Sequence, residues 1–364
     1  MKLAILGMRS RSAEWLVEEA ESLFDQVSFF RIKDARLELN GGLDVLCDGK
    51  SLSSYDAVHL RGSFRYADFL RAAAKILRAK GVYVGTRPNF YHVAHNKFLT
   101  AVYLGKAGIP TPKTFLMNTV DSAKEVLRQL TFPVVIKLPA GTHGKGVMFA
   151  DDRATANSIL DTLETLKQPI MIQEYVETAG RDVRAIVVGN KVVAAMERIA
   201  EPGEQRANIH AGGKGKKISL DSKTARLAID ATNALGASIC AVDILQSVKG
   251  PLVVEVNASP GLQGITKTTG INVAEEIVKF IHTQTKAHKD EKTTKTYRKF
   301  AKEKGLHEAQ DEKGDLTLTM DAVVKADRLV VPEKITKVLG VKPGQELHFK
   351  IKKGKIEIEN PESS

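Results

Sequence analysis

Cysteine is scarce: Cys47 and Cys240 are the only two in 364 residues, and they lie far apart with neither C-x-x-C nor Cys/His spacing. That excludes a disulfide scaffold or a zinc framework and leaves two reduced thiols as the expectation. No run approaches the roughly 20 apolar residues of a membrane span, and the apolar start of MKLAILGMRSRS is too short for a secretory h-region. A soluble, cytoplasmic chain with no membrane partner is therefore expected. The dinucleotide fingerprint is missing too, since Gly7-Met-Arg-Ser-Arg-Ser12 is not G-x-G-x-x-G. Acidic residues fall short of basic ones, 43 against 54, and the net charge of +11 points to an anionic partner. Charge alone does not rank ATP, an acidic peptide or cofactor, and nucleic acid.

The length suggests two to four structural units. Candidate strands at residues 2–7, 27–31, 57–61 and 82–85, with amphipathic helices at 13–24 and 67–80, give an α/β pattern up to about residue 88. Arg9, Arg11 and Arg61 are candidates for facing an anionic substrate there. A helix over 90–106 carries Lys97, and Gly108-Ile-Pro110 stops it. The strand Pro133-Val-Val-Ile-Lys137-Leu then places a lysine among apolar residues, where it either snorkels to solvent or meets an anion. Gly141-Thr-His-Gly144-Lys-Gly146 follows, a glycine-rich loop whose bare N–H groups can wrap a polyphosphate, without the GK[ST] ending of a Walker A. Further on, Pro169 to Val176 reads as a buried strand, 184–188 and 192–197 as a hairpin around Gly189-Asn190, 201–215 as a loop, and 222–235 and 272–286 as helices.

The stretch from Ala241 to Gly261 holds two apolar runs bearing Asp243, Glu255 and Asn257. A period of two puts Glu255 and Asn257 on one strand face, and the Lys249-Gly250-Pro251 turn folds Asp243 back beside them. Two carboxylates and an amide suit a hard cation such as Mg²⁺ held against nucleotide phosphates, although a hairpin with a polar face has the same pattern.

The runs VDIL and VVEVNASPGLQGITKTTG resemble the metal-binding end of the ATP-grasp ligases, most closely the RimK-type branch that joins L-glutamate to a carboxyl group. The resemblance covers about residues 1–285. It implies a pre-ATP-grasp α/β domain (1–88) and a two-lobed ATP-grasp domain (89–286). It implies ATP with Mg²⁺ or Mn²⁺, two ions, the metals on Asp243, Glu255 and Asn257. Lys97, Lys137, Gly141, Gly144 and Gly146 are then phosphate-binding. Glu174 and Tyr175 edge the adenine pocket, Asp182 is the ribose acid, and Arg206 and Asn208, within QRANIHAGGKG, hold triphosphate and metals. Arg198 is the candidate for steadying an acyl phosphate or a substrate carboxylate; His210 is read as structural. The segment PNFYHVAHNK departs from relatives that carry an acidic residue before the lysine. The implied acceptor is a ribosomal-protein C-terminus, or a polyglutamylated coenzyme such as F420 or tetrahydromethanopterin. The other class of answer is a DNA-binding regulator whose ligase-like part senses nucleotide.

Residues 287–314 read as a charged linker; Lys286 to Lys304 holds eight basic and three acidic residues. Within 315–360, strands are expected at 316–320, 329–331, 346–351 and 355–358, with a short helix at 332–340. The run RLVVPEKITKVLGVKPGQELHFKIKKGKIEI resembles the SpoVT-AbrB swapped-hairpin domain, an intertwined dimer that often binds DNA. So small a core and a net charge of only +3 over residues 316–359 favour a homo-oligomer over a DNA contact.

Overall fold

The computed structural model describes residues 1–39, 42–138, 146–165, 167–201 and 214–304. Beyond these it describes the strand segments 307–310, 316–319, 324–325, 328–329, 348–352 and 355–359, with side chains to residue 295. The chain divides into two compact units, Met1–Lys286 and Ala287–Ser364.

The opening apolar run forms β1 (Lys2–Gly7) and leads into α1 (Arg11–Ala20), whose first turn is capped by Ser10 Oγ accepting from the Ala13 N–H. β2 (Gln26–Arg31) pairs parallel with one edge of β1. A small meander missed by the sequence reading follows: β3 (Ala35–Glu38), β4 (Asp44–Cys47) and β5 (Lys50–Ser51). β6 (Ala57–Leu60) then takes the other edge, giving the order β2-β1-β6. α2 (Ala67–Ala79) covers this sheet with Leu70, Ala73, Ala74 and Leu77, all fully buried. The expected strand at 82–85 reduces to one parallel bridge, Tyr83 to Ala57, because the chain leaves the sheet edge for Pro88.

The expected helix over 90–106 is two, α3 (Pro88–Val93) and α4 (Lys97–Lys106). Asn96 breaks it: its backbone is extended and its side-chain oxygen accepts from the N–H groups of Phe98 and Leu99. The break puts Lys97 at the first position of α4.

A four-stranded antiparallel layer follows, built from β7 (Thr114–Met117), α5 (Val120–Leu127), β8 (Val134–Lys137), β9 (Val147–Ala150), α6 (Arg153–Glu164) and β10 (Ile170–Glu174) in the order β7-β10-β8-β9. Among the described residues its core, with Met117, Leu127, Ile136, Leu160 and Ile172, draws only on this layer.

The third sheet comprises β11 (Arg181–Val188), β12 (Lys191–Ile199), β13 (Lys214–Lys217), β14 (Ile239–Ser247) and β15 (Gly250–Asn257), ordered β13-β12-β11-β14-β15. The β11–β12 turn needs glycine at 189: its φ is +59° and a Cβ there would meet Phe280 at 2.6 Å. α7 (Ser222–Leu235) packs Leu227, Ala231 and Leu235 on one face of the sheet. The other face shares a core with the first sheet, in which Ile186, Met196 and Ala241 meet Leu3, Ile5, Leu16 and Ile277. α8 (Gln263–Thr269) precedes α9 (Val273–Lys304), which runs on through the start of the expected linker. No glycine or proline interrupts it, and Glu275–Lys279 and Glu291–Lys295 add i,i+4 ion pairs.

In the second unit β16 (His307–Gln310) pairs with β17 (Leu316–Thr319), β18 (Val324–Lys325) with β19 (Arg328–Leu329), and β20 (His348–Lys352) with β21 (Lys355–Glu359), all antiparallel. The expected helix at 332–340 lies outside the described residues.

Candidate active site

A cavity of about 620 Å³ opens between the second and third sheets and the carboxyl ends of β1 and β6. Strand register decides what faces it. Asp243 on β14 pairs directly with Glu255 on β15, and Ala241 pairs with Asn257, so all three oxygen-bearing side chains share one face. On the next strand Arg184 sits opposite Asp243, and beyond it Asp182 sits opposite Arg198.

These charges interlock. Arg184 Nε and Nη2 donate to Asp243 Oδ1 and Oδ2 at 2.8 and 2.7 Å. Arg198 Nε and Nη2 donate to Asp182 at 2.6 and 2.7 Å, and Nη2 also lies 2.9 Å from Asp243 Oδ2. Burial alone would raise the Asp243 carboxyl, but the two guanidiniums outweigh it and hold it at about 2. Burial pushes Asp182 up to about 6 against the pull of Arg198, so both acids are ionised at neutral pH.

Lys137 ends β8 with only 9% of its surface exposed. Its Nζ donates to Gln173 Oε1 at 2.6 Å, and Gln173 Nε2 donates to Thr114 Oγ1 at 2.8 Å, which fixes the amide. Burial lowers the Lys137 amine to about 8; Glu255 opposes the shift and Lys97 adds to it. Lys97 Nζ stands 3.9 Å from Glu255 Oε1. Glu174 Oε1 accepts from the Lys113 N–H at 2.8 Å, and Tyr175 packs edge-on against Phe149, 6.1 Å between centroids; Glu174 and Tyr175 both line the cavity. Gly146, at φ +78°, accepts from the Leu138 N–H through its carbonyl at 3.0 Å. Gly141, Gly144, Arg206, Asn208 and His210 lie outside the described residues. Of the three arginines expected to face an anion, Arg61 and Arg9 line the cavity. Arg11 does not: it pairs with Glu14 and Glu18 and lies over the Trp15 ring, because it belongs to the outer face of α1.

The oxygen donors suit a hard divalent cation. The Glu255 side chain is 42% exposed, and Asn257, on the same face of β15, adds an amide oxygen as a neutral donor beside the two carboxylates. Asp243, Glu255 and Asn257 therefore fit Mg²⁺ or Mn²⁺.

Residues 94–281 match the model of the RimK-like ATP-grasp domain, slightly more than half of the chain. The chain belongs to the RimK-like ATP-grasp family. It is an ATP-dependent ligase. A probable alpha-L-glutamate ligase of a Marinomonas species is 37% identical over 286 residues, covering 77% of this chain and 95% of that protein. The corresponding protein of Serratia proteamaculans is 36% identical over the same shares. Among solved structures, a RimK domain ATP-grasp protein from Sphaerobacter thermophilus superposes with a TM-score of 0.61 at 20% identity, covering 77% of this chain and 99% of that one. A D-alanine–D-alanine ligase from Bacillus anthracis does so with 0.55 at 18% identity, covering 80% and 99%. The ATP-grasp fold is thus shared well beyond sequence similarity. Among the described residues no helix is long and apolar enough to cross a membrane.

Two residues of the site escaped the sequence reading. Arg184 lies two residues beyond Asp182, so the period of two already placed it on the same face. Gln173 gives no comparable signal, since its partnership with Lys137 depends on how β8 and β10 pair.

Proposed function

We propose that this ligase joins the amine of L-glutamate to an acceptor carboxylate through an acyl phosphate, with ADP and phosphate as products. The observation that carries the reading is the convergence of Lys97 and Lys137 with the cross-strand pair Asp243 and Glu255 in one cavity. Two ammonium groups beside a cation-binding carboxylate pair fit a triphosphate's terminal groups better than any single neutral substrate. The name of the relatives supports glutamate as the amino acid.

In this reading Glu174 and Tyr175 edge the adenine pocket and Asp182 serves the ribose. Lys97 and Lys137, with the loop from Gly141 to Gly146, take the phosphates, together with Arg206 and Asn208. Asp243, Glu255 and Asn257 would hold two Mg²⁺ ions, which neutralise charge on the transferred phosphoryl group. An oxygen of the acceptor carboxylate attacks the γ-phosphorus as the bond to the ADP oxygen breaks. The glutamate nitrogen then attacks the acyl carbon, inorganic phosphate leaves with the bonding pair, and the amine proton passes to solvent. Arg198, held on Asp182 and Asp243, steadies the acyl phosphate side of the site. The acceptor is a protein C-terminus of the ribosomal-protein type or a polyglutamylated coenzyme. The hairpins of the second unit act as a dimerisation module of the SpoVT-AbrB kind, not primarily as a DNA-binding surface.

The test is product analysis with a panel of amino acids and acidic acceptors. ADP and phosphate formed in step with glutamate incorporation support the reading; AMP and pyrophosphate as stoichiometric products would overturn it.

A further inference from the structure

Three buried arginines or near-buried arginines line the cavity, and two are neutralised. Arg184 and Arg198 are each held by aspartate oxygens. Arg61 is not. Its side chain is 7% exposed, and among the described residues its guanidinium makes no ion pair. Its one described acceptor is the Pro260 carbonyl, 2.8 Å from Nη2, out of five N–H groups that a guanidinium offers. Burial lowers the group to about 10 with no carboxylate opposing the shift. Taking a charge out of water without a counter-charge is unfavourable, and proteins seldom leave one that way unless an anion arrives.

The location explains how the fold tolerates it. Arg61 directly follows β6, and its N–H donates to the Leu6 carbonyl at 2.8 Å, so it stands at the carboxyl ends of two parallel strands. That is where ligands of open α/β sheets sit. Gly7 makes room: a Cβ there would lie 3.3 Å from Arg61 Cβ. The loop after β15 holds the group from the other side, through Pro260 O and through Ser259 Oγ, which accepts from the Gly62 N–H at 3.0 Å. The same loop directly follows Asn257. A planar fork fixed on a strand end that lines the cavity, with donors that no described residue takes up, matches the two oxygens of a carboxylate.

We propose that Arg61 is a substrate-binding residue that anchors a carboxylate not consumed in the reaction, on either the incoming amino acid or an acidic acceptor. This rests on the ligase reading above for the nature of the substrate, while the anion site itself rests on Arg61. Such a carboxylate orients its molecule so that the reacting group is delivered to the phosphate end of the cavity. Where that carboxylate is the side chain of the incoming amino acid, the site prefers glutamate over glutamine, since an amide cannot neutralise the guanidinium.

The test uses full-length protein with Mg²⁺ and a non-hydrolysable ATP analogue, and reads probe affinity by calorimetry. One arm compares L-glutamate with L-glutamine. The other compares a short acidic peptide ending in glutamate with the same peptide ending in glutamine, which keeps the reacting C-terminal carboxylate and loses only the side-chain one. Arg61→Met is paired with Arg61→Lys, which keeps charge and stem but loses the fork. Wild type should prefer the carboxylate in one arm, and Arg61→Met should weaken that probe by about thirtyfold or more and abolish the preference. Arg61→Lys should fall between, with nucleotide affinity unchanged within about twofold in both variants. The arm that responds identifies the source of the carboxylate. Unaltered probe affinity in Arg61→Lys and Arg61→Met overturns the proposal, as does wild type that binds none of the probes. Nucleotide affinity falling in parallel with probe affinity also overturns it, because Arg61 would then be only a tie to Pro260. A protein that keeps Arg61-dependent carboxylate binding yet forms no ADP with any acceptor refutes the ligase reading and leaves this one standing.

Discussion

Replacing Lys137 by methionine separates what the site needs from what the fold prefers. The amine is held at about 8 against an ordinary value near 10.5, mainly by burial. At about 1.4 kcal/mol for each tenfold change in proton affinity, a charged Lys137 destabilises the empty protein by about 3 kcal/mol. The penalty is present in full below pH 8. It is relieved as pH rises from about 8 to 10.5, where the unfolded chain still binds the proton and the native one does not. Methionine keeps the volume and removes the charge, but it leaves Gln173 Oε1 without its 2.6 Å donor, a loss of about 1–3 kcal/mol. The variant should therefore be equal to wild type or up to about 2 kcal/mol more stable at pH 7. By pH 10 it should be the less stable of the two. For a unit of this size about 2–4 °C accompanies each kcal/mol, so the gap in Tm should swing by roughly 5–10 °C between the two pH values. Turnover of ATP should meanwhile fall by about 10²–10³-fold. Thermal unfolding at pH 7 and 10, with ADP formation at pH 7, measures all of this. A Tm gap that is the same at both pH values, or a variant several degrees less stable at pH 7, would refute the reasoning.

Glu255→Gln keeps size and removes a charge from a residue that faces the cavity, so turnover should drop by about two orders of magnitude or more while Tm moves by less than about 2 °C; activity within a few-fold of wild type would remove Glu255 from the site. Asp182→Asn takes the bidentate partner from a buried Arg198 and should destabilise by about 2–4 kcal/mol, read as a lowered denaturant midpoint. An unchanged midpoint would mean that the pair contributes nothing. Deleting residues 287–364 should lower the oligomeric state in sedimentation and leave ATP turnover largely intact, and a full-length protein that is already monomeric at micromolar concentration contradicts the role given to the second unit.

The local rules of strand and helix made much of the first unit legible. The hairpin carrying Asp243, Glu255 and Asn257 was readable from a period of two and one glycine turn, because cross-strand pairing follows directly once the turn is placed. The Gly189-Asn190 hairpin was readable for the same reason, and the structure lengthens it to Arg181–Val188 and Lys191–Ile199. The break before Lys97 was not, since the apolar pattern continues through it and only the capping geometry of Asn96 reveals it. Nor was the meander from Ala35 to Ser51, whose strands are two to four residues long and carry too little periodicity to register. The pairing of Arg184 with Asp243, and of Lys137 with Gln173, depends on which strands lie side by side. That is a property of the sheet order, to which each strand's own sequence is almost blind.

Among the described residues the four-stranded layer keeps its apolar core to itself, whereas the first and third sheets share theirs. A jaw with its own interior can swing as a solid body without tearing hydrophobic contacts elsewhere. The opposite jaw has no such freedom, since Arg61, Gly62 and Ser12 bond it across to Pro260, Ser259 and Leu262. The clamp is therefore tied on one side only: in the proposed reaction the layer that carries Lys137 and Glu174 is the one free to lift for nucleotide exchange, while the strands of Asp243 and Glu255 stay bonded to the end of β6.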